Sequence, residues 1–231
     1  KGLLYSAQLF EKVTLVSLRS SGDHKIKEED EILQEIEGTN KDEIIFFTNK
    51  CNAYKMKMYE IEDHKVSSLG VYLPNILGLE QGEEVLYCVL TNDFKGFMIF
   101  GFENGKIARV PLEAYKTKTN RKKLIKAFSD ESKIVKIHFF NEEGDLTAIR
   151  ESSKEMRAIV FNTSLVTEKI TKNTRGIQVF RMKKGSIMSA LIKTEFHPFE
   201  EIDRYRISDI PKSGEELDAL EKLTFNKWNK L

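Results

Sequence analysis

Four times along this chain an apolar run leads into a short turn and then into a stretch where apolar and polar side chains alternate. The clearest copy spans residues 42–61. Ile44-Ile45-Phe46-Phe47 is long enough for a strand and short for a helix, and Thr48-Asn49-Lys50-Cys51-Asn52 supplies turn-forming side chains. Tyr54, Met56 and Met58 then alternate with Lys55 and Lys57. Successive strand side chains point to opposite faces, so run, turn and period-two alternation together specify a β-hairpin. A second copy leads from Phe97-Met98-Ile99-Phe100 through Glu103-Asn104-Gly105-Lys106 into residues 107–112. A third leads from Leu146-Thr147-Ala148-Ile149 through Glu151-Ser152-Ser153-Lys154 into residues 156–160, and a weaker one stands at the front, in Leu3-Leu4-Tyr5 and residues 13–18. Aligned on their turns, positions 14, 54, 108 and 156 correspond, at spacings of 40, 54 and 48 residues. Strand-built units repeating at this period specify propeller blades or a related array. An all-β domain whose hairpins are alike by accident is the alternative.

Strand material also follows each of the last three hairpins, in residues 70–90, 124–140 and 176–192, which gives about four short strands per unit. Blades are expected at approximately 2–40, 41–90, 91–142 and 143–192, within a domain covering 1–210 that includes part of a fifth blade in 187–210. Residues 28–37 have helical spacing at Ile32, Leu33 and Ile36, but the repeat favours a loop and strand there. Residues 211–231 read as a tail. Pro211-Lys212-Ser213-Gly214 breaks the chain, and a short helix is expected over 215–223, with Ser213 as N-cap and Leu217, Leu220 and Leu223 as its apolar face.

The chain has 231 residues, 40% hydrophobic and 32% charged, ordinary values for a soluble globular protein. It has no apolar run near the roughly 20 residues a membrane-spanning helix needs, and no membrane partner is expected. It begins with Lys1 and no signal-peptide pattern, so a fragment of a longer protein is expected. Cys51 and Cys88 lack CxxC spacing, which fits two unpaired thiols in a reducing cytoplasm. His24, His64, His138 and His197 are scattered, without metal-ligand spacing, and the sequence holds no phosphate-binding glycine loop or nucleophile elbow. No catalytic residue, metal ligand or cofactor is assigned. The acid pairs Glu83-Glu84 and Glu200-Glu201 read as solvated surface. A binding module fits better than an enzyme.

Net charge is only +1, but it is segregated. Residues 106–126 carry eight Lys or Arg against the single Glu113, and residues 169–185 carry six with no acid, whereas 23–43 and 195–221 are acidic. Such segregation creates local fields that the net value hides. A cation also follows the turn in three hairpins, at Lys55, Arg109 and Arg157, opposite the apolar face. Repeated cations along the outer rim of a radial array would hold a polyanion through phosphate contacts that need no sequence readout. A propeller that recognises proteins through its acidic blocks is the competing reading.

Several segments resemble the C-terminal domain of the DNA gyrase and topoisomerase IV A subunits. They are residues 44–61 (IIFFTNKCNAYKMKMYEI), the stretch from Gly70 through Leu79 to Gly82-Glu83, residues 100–112 (FGFENGKIARVPL), and Asn173-Thr174-Arg175-Gly176-Ile177 ahead of Lys183-Lys184-Gly185. Residues 12–20 are similar to the topoisomerase IV form of the first blade. The resemblance covers about residues 2–192. It implies an all-β pinwheel, a propeller-like disc of four-stranded blades that exchange strands, here with a short C-terminal helix. It implies a non-catalytic, cytoplasmic, bacterial domain that binds and bends duplex DNA around its basic outer edge to guide strand passage or wrapping. The partners it implies are duplex DNA, the ATPase B subunit, and the remainder of the A subunit, with the isolated domain a monomer. The parent would be an ATP-dependent type IIA topoisomerase. The DNA contacts expected are Arg19, Lys55, Lys57, Arg109, Lys116, Lys118, Arg121, Lys122, Lys123 and Arg157, with Arg175, Lys183 and Lys184 as a second patch. Gyrase carries an Arg- and Gly-rich box after its first hairpin; here Arg19-Ser20-Ser21-Gly22-Asp23-His24-Lys25 stands closest, a departure that leans toward topoisomerase IV.

Overall fold

The computed structural model describes residues 3–9, 12–19, 34–63 and 70–229, the first two segments by their backbone alone. In chain order these form β1 (Leu3–Leu9), β2 (Lys12–Arg19), β3 (Glu35–Thr39), β4 (Glu43–Thr48), β5 (Ala53–Lys57) and β6 (Val71–Tyr72), then a one-turn helix α1 (Leu73–Leu77) and β7 (Val85–Thr91). Next come β8 (Phe97–Phe102), β9 (Lys106–Pro111), β10 (Lys123–Leu124), β11 (Ile134–Phe140), β12 (Asp145–Glu151) and β13 (Met156–Asn162). The last are β14 (Ile177–Gln178), β15 (Ile187–Lys193), β16 (Glu215–Glu216) and the helix α2 (Ala219–Trp228). Among the described residues they make four antiparallel four-stranded sheets, in the orders β3-β2-β1-β6, β10-β5-β4-β7, β11-β8-β9-β14 and β15-β12-β13-β16. The fold is all-β, and each sheet takes one two-residue strand from chain that follows its own hairpin at a distance. This is the strand exchange of a pinwheel.

Two compact units result, Lys1–Lys95 with Tyr115–Ala127, and Gly96–Ala114 with Phe128–Leu231. The first holds the first two sheets. Ile44, Ile45, Phe46 and Phe47 are all fully buried, so β4 is covered on both faces, which is why its apolar run is continuous rather than alternating. Each such side chain contributes roughly 1.5–3 kcal/mol by leaving water. Its core gathers Ile44, Phe46, Tyr54, Met58, Leu73 and Cys88. Gln34 ties the two sheets by donating to the Cys88 carbonyl at 2.6 Å and accepting the Cys88 amide at 3.1 Å. In the first sheet the exchanged strand β6 lies on β1, the opening strand of its hairpin, because β3 already occupies the free edge of β2. In the other three sheets it lies on the closing strand.

The second unit has two clusters, one containing Ile99, Ile107, Leu146, Phe161, Phe180 and Met188, the other Ile149, Val160, Tyr205, Leu217 and Phe225. Residues beyond 210 belong to this framework. Glu215-Glu216 is a strand on β13, and the helix starts later than the sequence reading placed it. Asp218, not Ser213, caps α2, its carboxylate accepting the Glu221 amide at 2.8 Å while the Glu221 carboxylate accepts the Asp218 amide at 2.9 Å. This is a capping box, which satisfies two otherwise orphaned donors. Within the helix Phe225 is buried while Leu220 and Leu223 stand exposed, and of the expected leucine face only Leu217, which lies ahead of the helix, is packed. Trp228 stacks on Phe225 with ring centroids 6.2 Å apart, which anchors the end of the helix. Residues 73–77, expected as strand, are the helix α1, with Pro74 in its first turn.

Glu83 overturns its reading as solvated surface. It is 4% exposed, and its carboxylate accepts from Thr48 Oγ1 at 2.6 Å, Asn52 Nδ2 at 2.9 Å, Tyr54 OH at 2.9 Å and the Glu80 amide at 3.2 Å. It thereby pins the 48–52 turn and β5 to the 80–84 loop. Burial alone would raise its pKa, but the hydrogen bonds led by those from Thr48 and Asn52 outweigh it and leave the carboxyl below its ordinary value.

Entry into the exchanged strands depends on glycine. Gly176 precedes β14 at φ +75°, and a Cβ there would meet the Ile107 carbonyl carbon at 2.5 Å. Gly214 precedes β16 at φ +74°, and a Cβ would meet the Ala158 carbonyl oxygen at 2.5 Å. Both positions demand a left-handed backbone and a close approach that only glycine tolerates.

Gly176→Ala and Gly214→Ala are therefore expected to destabilise by about 1–3 kcal/mol or more in urea denaturation. Gly185→Ala, at φ +78° with nothing near its Cβ, bears only the backbone term of roughly 1–2 kcal/mol. Equal losses at all three sites would count against the close-approach argument. For Glu83, the folded pKa is lowered, so its stabilisation is complete above the ordinary value of 4.5 and is lost as pH falls from there through the depressed folded value. Glu83→Ala is expected to cost about 1–3 kcal/mol at neutral pH and to flatten this acid limb in denaturation curves recorded against pH.

Candidate nucleic-acid interface

Three hairpins share a fixed point. Met58, Leu112 and Thr163 each donate their amide to the carbonyl just before the opening strand, that of Asp42, Gly96 or Gly144, at 2.9, 2.9 and 2.8 Å. Counted back from these, Lys55 and Arg109 occupy one position, as the sequence alignment has them. The third member is Val160. Arg157 lies three residues earlier, cross-strand from Arg150, because the 151–155 turn is built differently and alignment on turns slips there.

In the first unit, Lys55 does not stand exposed as expected; it is 5% exposed. Its ammonium donates to the Tyr115 carbonyl at 3.2 Å and Thr117 Oγ1 at 3.0 Å, lies 3.5 Å from Glu43 and sits 5.3 Å from the Phe94 ring centre. Burial lowers its pKa, with Glu43 opposing. The cause is topological. The chain must return across β5 to deliver β10, and residues 115–122 cover Lys55 on the way. Tyr115 is itself buried, its hydroxyl donating to the Ala127 carbonyl at 2.6 Å, so the exposed part of this loop begins at Lys116.

That loop lines an open cleft of about 510 Å³ with Lys55, Lys57, Lys116, Lys118, Arg121 and Lys122 against two acids, Glu43 and Glu60. Lys57 lies 3.5 Å from Glu43. Lys122 reaches Glu60 at 2.9 Å, and this hydrogen bond is the main cause holding the Glu60 carboxyl below its usual range. Lys116 lies 5.9 Å from the Phe94 ring centre. Lys118 and Arg121 are exposed and make no ion pair among the described residues. Lys123, beside the loop in β10, donates to Glu80 at 2.9 Å, which with its contact to Tyr54 raises its pKa.

In the second unit the cations are more tightly compensated. Arg109 stacks 3.8 Å above the Phe97 ring, forks onto Glu143 at 2.9 and 2.7 Å, reaches Glu168 at 3.3 Å and donates to the Thr163 carbonyl at 3.0 Å. Its side chain is only 13% exposed. Arg157 is held by Glu155 at 2.9 Å and the Gly214 carbonyl at 2.8 Å. Glu155 also takes Arg150 at 2.7 Å and Lys183 at 2.9 Å, and the hydrogen bonds from Arg157 and Lys183 pull its pKa down to about 2. Arg175 is largely exposed and pairs with Glu131 at 2.7 Å, and Lys184 is exposed without an ion pair among the described residues. Arg19 ends β2, its side chain outside the described residues, as are residues 20–25 of the degenerate box.

Sequence reasoning missed Arg206. It lies beside Val160, where the strand cation is lacking, and donates to Asp145 at 2.8 Å. Asp145 occupies the place held by Glu43 and Phe97 in the other hairpins. Arg204, Arg206, Arg181 and Lys212 line a second cleft of about 280 Å³. Arg204, Arg206 and Lys212 were concealed by their place inside the block 195–221, which is acidic in composition.

No protein-family model matches the chain. Over 122 residues, 52% of the chain, it is 25% identical to the DNA gyrase A subunit of Staphylococcus aureus, a match spanning 14% of that protein. The chain therefore corresponds to a small part of the curated relatives it matches. Among solved structures, the C-terminal domain of DNA topoisomerase IV superposes with TM-score 0.63 at 22% identity, over 84% of this chain and 62% of that one. The E. coli ParC C-terminal domain superposes with TM-score 0.58 at 14% identity, over 78% of each chain. The DNA gyrase A C-terminal domain gives 0.51 at 14% identity, over 93% and 76%. Strand exchange, sheet order and these likenesses agree, and the chain has the β-pinwheel fold of the C-terminal domains of gyrase and topoisomerase IV A subunits.

Proposed function

We propose that this chain is the DNA-binding and DNA-bending domain of a bacterial type IIA topoisomerase A subunit. It holds duplex DNA by phosphate contacts and does no cleavage itself. The observation that carries the reading is the loop cleft of the first unit, where six cations meet two acids and where Lys118 and Arg121 are exposed, with no ion pair among the described residues. Such a concentration neutralises phosphates and releases their counterions, which is the sequence-independent part of DNA affinity. Lys57, Lys116, Lys118, Arg121, Lys122 and Lys123 form the main contact surface in this reading. Arg175, Lys183 and Lys184, with Arg19, extend it. Lys55, Arg109 and Arg157 act instead as supports, since their charges are spent on carboxylates and carbonyls within the fold.

The parent would be an ATP-dependent, cytoplasmic gyrase or topoisomerase IV. The ATPase B subunit would be its partner, together with the remainder of the A subunit, while the isolated domain would be a monomer. No helix among the described residues is long and apolar enough to cross a membrane.

Fluorescence anisotropy with random duplex DNA over a salt series tests the assignment. Lys118→Ala with Arg121→Ala is expected to flatten the slope of log affinity against log salt by about two units, one per lost phosphate contact. A slope unchanged by this pair, or no binding at low salt, overturns the proposal. Arg109→Ala is expected to leave the slope unchanged and to cost roughly 1–2 kcal/mol of stability, discounted because Glu143 is half exposed. Thermal melting checks the second part, and a slope change there would return Arg109 to the contact surface.

A further inference from the structure

Two aromatic rings line the loop cleft, and they differ in state. Phe94 is 8% exposed and already faces the Lys55 and Lys116 ammonium groups, whereas Tyr59 is 72% exposed. Tyr59 sits in the middle of the single turn at 58–60 that follows β5, and that turn is fixed at both ends. Met58 is buried and its amide donates to the Asp42 carbonyl at 2.9 Å, while the Ile61 amide donates to the Met58 carbonyl at 3.1 Å. The Glu60 carboxylate accepts the Lys57 amide at 3.2 Å and the Lys122 ammonium at 2.9 Å. The ring is therefore presented to solvent from a rigid support, beside the exposed cations of the loop. At the corresponding place in the next two hairpins stand Glu113 and Ser164, so the pinwheel turn itself does not call for an aromatic side chain there.

A regular duplex offers a neighbouring side chain only its backbone and base edges; a ring finds the face of a base only where stacking is broken. The cleft volume of about 510 Å³ falls within the roughly 300–1,000 Å³ of small-molecule sites, enough for one nucleotide. We propose that Tyr59 is a stacking platform for a base displaced from the helical stack, so that this cleft prefers DNA at a gapped or unstacked step to continuous duplex. The inference rests on the DNA-binding reading above. Lys118, Arg121 and Lys122 would hold the flanking phosphates while the phenol ring covers the base.

The test compares a continuous duplex with the same duplex carrying a short central single-stranded gap, by fluorescence anisotropy at one salt concentration. The whole chain is expected to bind the gapped probe about fivefold or more tightly than the continuous one, the low end of base–aromatic stacking. Tyr59→Ala is expected to abolish the difference and Tyr59→Phe to keep it, since the ring and not the hydroxyl makes the contact. Thermal melting shows whether each variant is folded, and exposure of the ring predicts that both are. Equal binding of the two probes by the unmodified chain, or a preference that survives Tyr59→Ala, overturns the inference while leaving the DNA-binding reading intact. Binding of neither probe overturns both.

Discussion

Four strands of two residues each decide how this chain is put together. A hairpin alone is marginal in water, and its outer edge is a row of unpaired backbone groups. Here that edge is closed by β6, β10, β14 or β16, each drawn from a later part of the chain. The pairing itself is small, two residues per strand, but it dictates the course of everything between. The segment after β5 cannot reach β10's position without running through residues of a later hairpin, and so Tyr115–Ala127 joins the first unit although the chain on either side of it belongs to the second. Gly176 and Gly214 are where this routing is tightest, because a side chain would strike the very carbonyls being approached.

The same routing explains the charge distribution. Chain that delivers an exchanged strand passes over the closing strand of the hairpin, and whatever stands there is covered. Lys55 meets the Tyr115 carbonyl and Thr117; Arg109 meets Glu168 and Glu143. A buried cation must be paired or lose its charge, and both are paired. The passing loop itself is basic, and residues 116–123 pass with five cations in eight positions and no acid of their own. A chain of net charge +1 can thus present a basic face without being basic overall, at the expense of cations that look equivalent in sequence.

The hairpins were legible in the sequence because β4 and β8 are buried on both faces and carry continuous apolar runs, Ile44 to Phe47 and Phe97 to Phe100, while β12 keeps enough of the pattern in Leu146, Ala148 and Ile149 although its buried Thr147 and Arg150 are polar. The loop cations were legible too, since charge density over a short stretch survives any fold. The fate of Lys55 was not, because the residues that bury it lie far away in sequence and are themselves polar. Glu83 looked like one of a surface pair, and three of its four donors come from the β4–β5 hairpin some thirty residues earlier. The slip at Arg157 came from aligning turns of unequal build. The α2 start was readable in principle, since Asp218 and Glu221 have capping-box spacing, but the Pro211 to Gly214 break drew the boundary too early.

Arg206 shows what the slip concealed. In the second hairpin Lys55 stands near the carboxylate of Glu43, and in the third Arg109 lies on the ring of Phe97, each cation on the closing strand. In the fourth, Asp145 takes the place of Glu43, the strand residue is Val160, and the guanidinium arrives from the passing segment. The roles of strand and passing chain are exchanged between these sheets: Arg109 faces Glu168 across the parallel bridge, and Val160 faces Arg206. A cation at this point is therefore a requirement of the local charge balance and not of any one sequence position. Counting cations at one offset within a repeat consequently measures how the fold holds itself together.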